Sequence, residues 1–435
     1  MTKVPHVNTD ALTIVICFDH ASITGGQAKV AFDSAVGLKQ AGHRPIVFAA
    51  AGPVSPQLAD AGIETICLEQ DDLVGNPSKV AAAIQGIWNV PAAKALDALL
   101  KTLPRDRTIV HVHGWAKALS PSIAGPIARS GLPAIYTIHE YFQFCPNGGF
   151  YDYQAKHICT LTPLSLACWM TNCDSRNYVR KVWRNLRLLA AKHIAHLPDI
   201  FSDYIAISGF QSEIVTPLVP KHVLLHRVSN PVAVPDLGPK PDPLAGEVIF
   251  VGRLSPEKGV LIFAEAARRI GMIPVFIGDG PQAGELAARY PEAKLLGWKN
   301  PAEVRAAMRG ARALVFPSIW YEGQPLTILE AKGLGVPVIV SDACAGREEV
   351  EDGVSGLWFR SADADDLARA LTVLRDDTAV AAMSRGAYDA YWADPPTLET
   401  HVRRLTAVYR DMIARQGLAN RAHVDNLGVP ESLAG

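Results

Sequence analysis

The sequence predicts an α/β protein made of two Rossmann-like domains that face a cleft. Three observations predict it. Short apolar runs alternate with longer helical patterns through most of the chain. The alternation stops in a segment holding five prolines, Pro231 to Gly246, and then restarts. The chain has 435 residues, room for two or three domains at roughly 150 residues each.

In the first half, Leu12–Phe18 reads as a strand, Gln27–Gln40 as a helix and Arg44–Ala49 as a strand. This is a βαβ unit, so its strands should be parallel with a right-handed crossover. Further strands are expected at Ile63–Leu68, Thr108–Val112, Pro133–Ile138 and Tyr204–Ile207. Helices are expected at Lys79–Lys101, Leu119–Arg129 and Arg176–His196. In the second half, strands are expected at Val248–Val251, Ile273–Ile277, Lys294–Leu296, Ala313–Phe316 and Val336–Val340. Helices should lie at Gly259–Ile270, Gln282–Arg289, Ala302–Arg309, Leu326–Gly333 and Asp363–Leu374. The domains are therefore drawn at 1–230 and 247–420, with a linker at 231–246 and a frayed tail at 421–435. The last helix is expected to return to the N-terminal domain.

Composition narrows the class. At 49% hydrophobic and 20% charged, the chain is globular rather than disordered. Its net charge of −1 gives no general attraction to nucleic acid, which is not expected as a partner. The first apolar run is followed by Asp19 and His20, so it reads as a buried strand and not a signal peptide. Seven cysteines, an odd number, fit a reducing compartment. The expected location is cytoplasmic, with peripheral contact at the inner membrane face.

Ligands of such sheets bind beyond the carboxyl ends of the strands. Several residues fall there. Gly25 and Gly26 precede a helix, either as an anion-receiving turn or as an ordinary one. His139 and Glu140 end one strand, and His113 ends another. Arg253 and Lys258 flank a helix start and suit a phosphate clamp, or are two solvated charges. Glu322 lies in the loop after a strand and Glu330 in the next helix, where carboxylates suit sugar and ribose hydroxyls. In IGDGPQAG the third glycine of a dinucleotide fingerprint is displaced by one, to Gly284, which disfavours a nicotinamide enzyme.

Taken in order, GGQAKV, TIHEYF, SNPV, VGRLSPEKG, GDGP, LGW, YEGQPLTILEA, GVPVIVSD and GREEVEDGVSGLWF resemble the retaining glycosyltransferases of family four. The resemblance covers about residues 12 to 375 and implies the GT-B fold. It implies transfer of a sugar from a UDP- or GDP-type nucleotide sugar to a glycan or lipid-linked acceptor. By the same resemblance, Arg253 and Lys258 hold the diphosphate, Glu330 the donor ribose, and Gly25 and Gly26 underlie the phosphates. Glu322 and His139 would lie by the transferred sugar. Glu140 stands where the family usually has Asp, and Gln324 and Pro325 where Phe and Gly are common. The alternative is a non-catalytic GT-B binding subunit of a glycan-synthesis complex, which has no need of the full charged set.

Arg253, Lys258 and helix dipoles suit a leaving diphosphate, so no cofactor is expected for the chemistry. No residue presents itself as a nucleophile for the opposite sugar face, which favours front-face attack by the acceptor. Asp363 and Asp365 match the Asp-x-Asp of metal-dependent transferases but read as charges at a helix start.

Two features lie outside that set. The helix 176–196 carries Arg176, Arg180, Lys181, Arg184 and Arg187 on one side. That face is either solvated or laid on an anionic membrane. An insertion near 143–175 holds Cys145, Cys159, Cys168 and Cys173. They are free thiols, or ligands of one structural zinc or, less readily, an iron–sulfur cluster; the missing C-x2-C spacing favours free thiols.

Overall fold

The computed structural model describes residues 11–426, and side chains through residue 418. Seven strands form the first sheet: β1 Thr13–His20, β2 Arg44–Ala51, β3 Glu64–Gln70, β4 Thr108–Val112, β5 Ala134–Ile138, β6 Asp203–Ala206 and β7 Leu224–Arg227. Their order is β3-β2-β1-β4-β5-β6-β7, and every pair is parallel. The second sheet has β8 Val248–Val251, β9 Val275–Ile277, β10 Lys294–Leu295, β11 Ala313–Phe316, β12 Val338–Ser341 and β13 Gly356–Phe359. It runs β10-β9-β8-β11-β12-β13, again parallel throughout.

Residues such as Ile14, Val15, Ile16 and Cys17 are buried on both sides of the sheet, which is why the inner strands read as unbroken apolar runs. The edges were less legible. β7 and β13 are short, and β7 carries two exposed residues, Leu224 and Arg227. Neither has the long apolar run that marks an inner strand.

Three helices differ from the expectation. Lys79–Lys101 divides into Lys79–Ile87 and Val90–Leu100. Asn89 breaks it: its side chain accepts from Ala92 N at 3.1 Å, and its amide donates to Ala118 O at 2.8 Å. Leu119–Arg129 starts as a 3-10 turn, Pro121–Ile123, before the helix Ala124–Ser130. Asp363 caps the helix Ala364–Val373, accepting from the amides of Asp365 and Asp366.

The last helix, Leu398–Asn426, continues past residue 420, where a tail was expected; residues 427–435 lie outside the described residues. It packs Val402, Leu405, Tyr409 and Met412 into a core shared with Phe32, Ile109 and Ile135 of the N-terminal sheet layer. Tyr409 Oη shares a 2.6 Å hydrogen bond with His111 Nδ1, and His111 Nε2 shares one of 2.7 Å with Thr137 Oγ1.

The helix Tyr178–Leu189, followed by a π-helical turn Ala190–Ile194, inverts the expected orientation. Lys181 and Arg187 are buried and Arg184 pairs with Asp174 at 3.0 Å, whereas Val179 is 78% exposed. Only Arg176 and Arg180 of the five cations remain outside. The interior is what draws the basic side in. Arg187 Nη1 donates to Ala116 O at 2.6 Å and its guanidinium lies over the Trp115, Phe142 and Trp183 rings.

Tyr409→Phe should keep the ring packing and leave His111 Nδ1 buried without its partner. We expect a loss of about 1–3 kcal/mol, read as a lower urea midpoint for the N-terminal domain.

Candidate active site

Two loops at the carboxyl ends of the paired strands β8 and β11 are locked together. Ile319 N donates to Glu257 O at 2.9 Å, and Ser318 Oγ donates to the same carbonyl at 3.3 Å. Gly259 makes the close approach feasible. Its φ is 68°, and a Cβ there would stand 2.0 Å from Pro317 O. The lock sets Lys258 against Glu322: Lys258 Nζ donates to Glu322 Oε1, which also accepts from Ser318 Oγ at 3.0 Å. The Lys258 ammonium lies 5.5 Å from the Trp320 ring centroid. The two residues therefore face each other across neighbouring loops, a pairing that sequence spacing did not reveal. Arg253 is exposed in the loop after β8.

Glu330 sits on the helix Leu326–Gly333 and lines a cavity of about 300 Å³ with Trp298, Lys299, Arg305 and Val234. Burial pushes its carboxyl up, while Arg305 and Lys29 pull the other way. Lys29 belongs to the helix Gly26–Gln40 of the other domain, so the charge of that domain reaches Glu330. A Cβ at Gly25 or Gly26 would meet nothing within 4 Å, so neither glycine is demanded by its protein neighbours.

His139 completes the N-terminal side. Its Nε2 shares a 3.0 Å hydrogen bond with His113 Nδ1, and the two rings stack. Burial, with His401 and Lys117 nearby, pushes His139 down to about 3, so the ring is neutral at neutral pH. It can hydrogen-bond but carries no charge there. Glu140 points away to Lys117, at 3.3 Å. Gln324, at a departure from the usual family motif, ties the domains together: its Oε1 accepts from Asn230 N at 2.7 Å. Glu348 makes a second tie, accepting from Gly209 N at 3.0 Å.

The four clustered cysteines are free thiols, the reading that their spacing favoured over a metal centre. Among the described residues, no group of three or more His, Cys, Asp or Glu side chains is placed to hold a metal ion. Lys181 is the physical reason: its ammonium contacts Cys168 and Cys173, where a second cation would be repelled. Sequence reasoning also missed Lys29, Arg305 and Ser318. Of these, Lys29 lay within GGQAKV and Ser318 four residues before Glu322 in the same loop, whereas Arg305 had no signal.

Two family models match the chain: Glycosyltransferase Family 4 over residues 24–195 and Glycosyl transferases group 1 over residues 245–377. The chain is a glycosyltransferase with the GT-B fold. It is 28% identical over 346 residues to the UDP-Gal:alpha-D-GlcNAc-diphosphoundecaprenol alpha-1,3-galactosyltransferase of Escherichia coli, covering 74% of this chain and 80% of that protein. The sucrose-phosphate synthase of Thermosynechococcus elongatus shares its fold, with a TM-score of 0.67 at 16% identity over 93% of this chain and all of that one. So does Anabaena Alr3699/HepE, solved in complex with UDP, at a TM-score of 0.63 and 16% identity over 92% of this chain and 100% of that one. In this glycosyltransferase the family-four match includes His139, and the group 1 match includes Arg253, Lys258, Glu322 and Glu330.

Glu330→Gln should stabilise the glycosyltransferase at neutral pH when no donor is added. A carboxyl whose folded pKa is raised binds its proton more tightly when folded, so the wild type loses stability as pH rises above 4.5 toward the raised value. The amide carries no such cost. We expect a higher Tm for the variant at pH 7, and a difference that fades below 4.5, where both states of the wild type are protonated.

Proposed function

We propose that this glycosyltransferase moves a sugar from a UDP-type nucleotide sugar to a lipid-linked or glycan acceptor, with retention of anomeric configuration. One observation carries the reading. Arg253 and the Lys258–Glu322 pair occupy the carboxyl ends of β8 and β11, and Glu330 feels the charge of Lys29, in the helix that follows Gly25 and Gly26. A diphosphate needs cations and free amide N–H groups, while ribose and sugar hydroxyls need carboxylates.

In this reading the incoming diphosphate competes with Glu322 for Lys258. Arg253 and Lys258 stabilise the charge that develops as the glycosidic bond breaks, with no cofactor in the step. Glu322, freed from part of its pairing, turns to a hydroxyl of the transferred sugar. Glu330 accepts from the ribose hydroxyls, and the amides at Gly25 and Gly26 lie under the phosphates. His139, neutral and oriented by His113, hydrogen-bonds the sugar. The acceptor attacks from the face the diphosphate leaves. UDP is favoured over GDP by the donor named for the Escherichia coli relative.

The same relative is named for a diphosphoundecaprenol acceptor, which supports contact with a membrane. Among the described residues, no helix is long and apolar enough to cross one. The outward turn of Val179 changes how that contact would be made. Val80 and Ile84, on the adjoining helix Lys79–Ile87, are also exposed, and Lys79 and Arg180 border the groove between the two helices. This surface would insert apolar side chains rather than rest on lipid charge.

Donor hydrolysis and transfer assays with UDP-galactose, UDP-glucose and GDP-mannose test the central reading. We expect turnover with a UDP sugar, lowered about tenfold to a hundredfold in Arg253→Ala and in Glu322→Gln, the cost of one charge-assisted hydrogen bond. Turnover with GDP-mannose alone would overturn the base assignment, and wild-type turnover in both variants would overturn the site. Vesicle co-sedimentation tests the surface. Binding to neutral phosphatidylcholine vesicles should be lost in the Val179→Glu, Ile84→Glu double variant; no binding by the wild type would end the idea.

A further inference from the structure

The insertion after His139 buries a lysine among thiols. Lys181 is 1% exposed, and its Nζ donates to Cys168 Sγ at 3.3 Å. Cys173 faces the same ammonium and is held from the other side by Asn147, whose Nδ2 donates to Cys173 O at 2.6 Å. Cys145 and Cys159 complete the surroundings, and all four cysteines are free thiols. Among the described residues, sulfur is what Lys181 meets; Asp174, the nearby carboxylate, is committed to Arg184.

An ammonium buried without a carboxylate is costly unless a neighbour carries negative charge. Here burial pushes Lys181 toward its neutral form, Cys173 and Cys168 push it back, and the net direction is upward. Lys181 therefore keeps its proton, and its ammonium stands 3.3 Å from the Cys168 sulfur, where its charge can stabilise the negative charge that this sulfur carries when it reacts as a thiolate.

We propose that Cys168 and Lys181 form an oxidative modification site, at which hydrogen peroxide joins the sulfur of one to the nitrogen of the other. The Cys168 thiolate attacks a peroxide oxygen. An S–O bond forms and the O–O bond breaks, so sulfur loses the two electrons that peroxide gains. The departing hydroxide takes a proton from the Lys181 ammonium and leaves as water. The freed amine then attacks the sulfenic sulfur. An S–N bond forms, the S–O bond breaks, and the oxygen leaves as a second water with the amine's proton. The sum is one thiolate, one ammonium and one peroxide giving one sulfenamide and two waters. A small thiol reverses it, two equivalents becoming a disulfide as the thiol and amine are restored. The link ties the short helix Leu166–Met170 to the helix Tyr178–Leu189. It makes no use of the donor site and stands apart from the proposed function.

Peptide mapping of the full-length, fully reduced protein tests it. Cys159, Cys168 and Cys173 fall in one tryptic peptide, 157–176, and Lys181 begins another, 181–184. After one equivalent of hydrogen peroxide and alkylation of the remaining thiols, the two peptides should be joined with the loss of two hydrogens. Fragmentation should place the bond at Cys168, and dithiothreitol should separate them. Cys173→Ser should keep the joined species and Cys168→Ser should lose it. A disulfide inside peptide 157–176, over-oxidised Cys168 without a joined peptide, or no reaction would each overturn the proposal. So would one bound zinc per chain with thiols that resist both peroxide and alkylation.

Discussion

The contact between Tyr409 and His111 joins the two ends of the protein's architecture. The last helix leaves the C-terminal domain and lies against the N-terminal sheet, and its deepest polar anchor is this buried bond. From His111 the contact continues inward. The His111 ring lies 4.0 Å from that of His113, centroid to centroid, and His113 hydrogen-bonds His139 at the cleft. Burial lowers the pKa of each of the three histidines, so the line is neutral and is held by hydrogen bonds and stacking, not by charge. The returning helix thus supports the wall of the cleft as well as the relation between the domains.

On the opposite wall, charge is organised by backbone. The Gly259 turn and the Ser318–Ile319 contacts hold two loops so close that Lys258 and Glu322 neutralise each other. Such a pair suits a site that must receive an anion. In the proposed reading the lysine is kept in place by a partner that a diphosphate would outcompete, and the displaced carboxylate would stay beside the sugar. Glu330 is treated differently: burial raises its pKa, while Arg305 and, from the other domain, Lys29 oppose that shift.

The helix Tyr178–Leu189 spends cations inside. Arg187 is enclosed by three aromatic faces and a carbonyl, Arg184 by Asp174 and Asn147, and Lys181 by sulfurs. What remains outside on that helix is largely apolar, with Val179, Leu186 and Ile194 exposed. An arrangement that looks like a basic surface in one dimension is a basic interior in three.

The sequence by itself determined the two-sheet architecture, because strands buried on both faces leave unbroken apolar runs between helical patterns, as in β1 and β11. It also singled out the residues at the strand ends, since loops after parallel strands must open on the cleft. It left out the edge strands β7 and β13, whose short, partly exposed segments carry little periodicity. Only the tertiary structure decided which charges meet. Lys258 and Glu322 are sixty-four residues apart, and their pairing depends on the approach of two loops. Lys181 lies among the thiols of the insertion for the same reason. A helical wheel gives the angle of a side chain about its own axis. Which of its faces becomes the inside is decided by what packs against it, and here Trp115, Phe142 and Asp174 drew the cations of Tyr178–Leu189 inward.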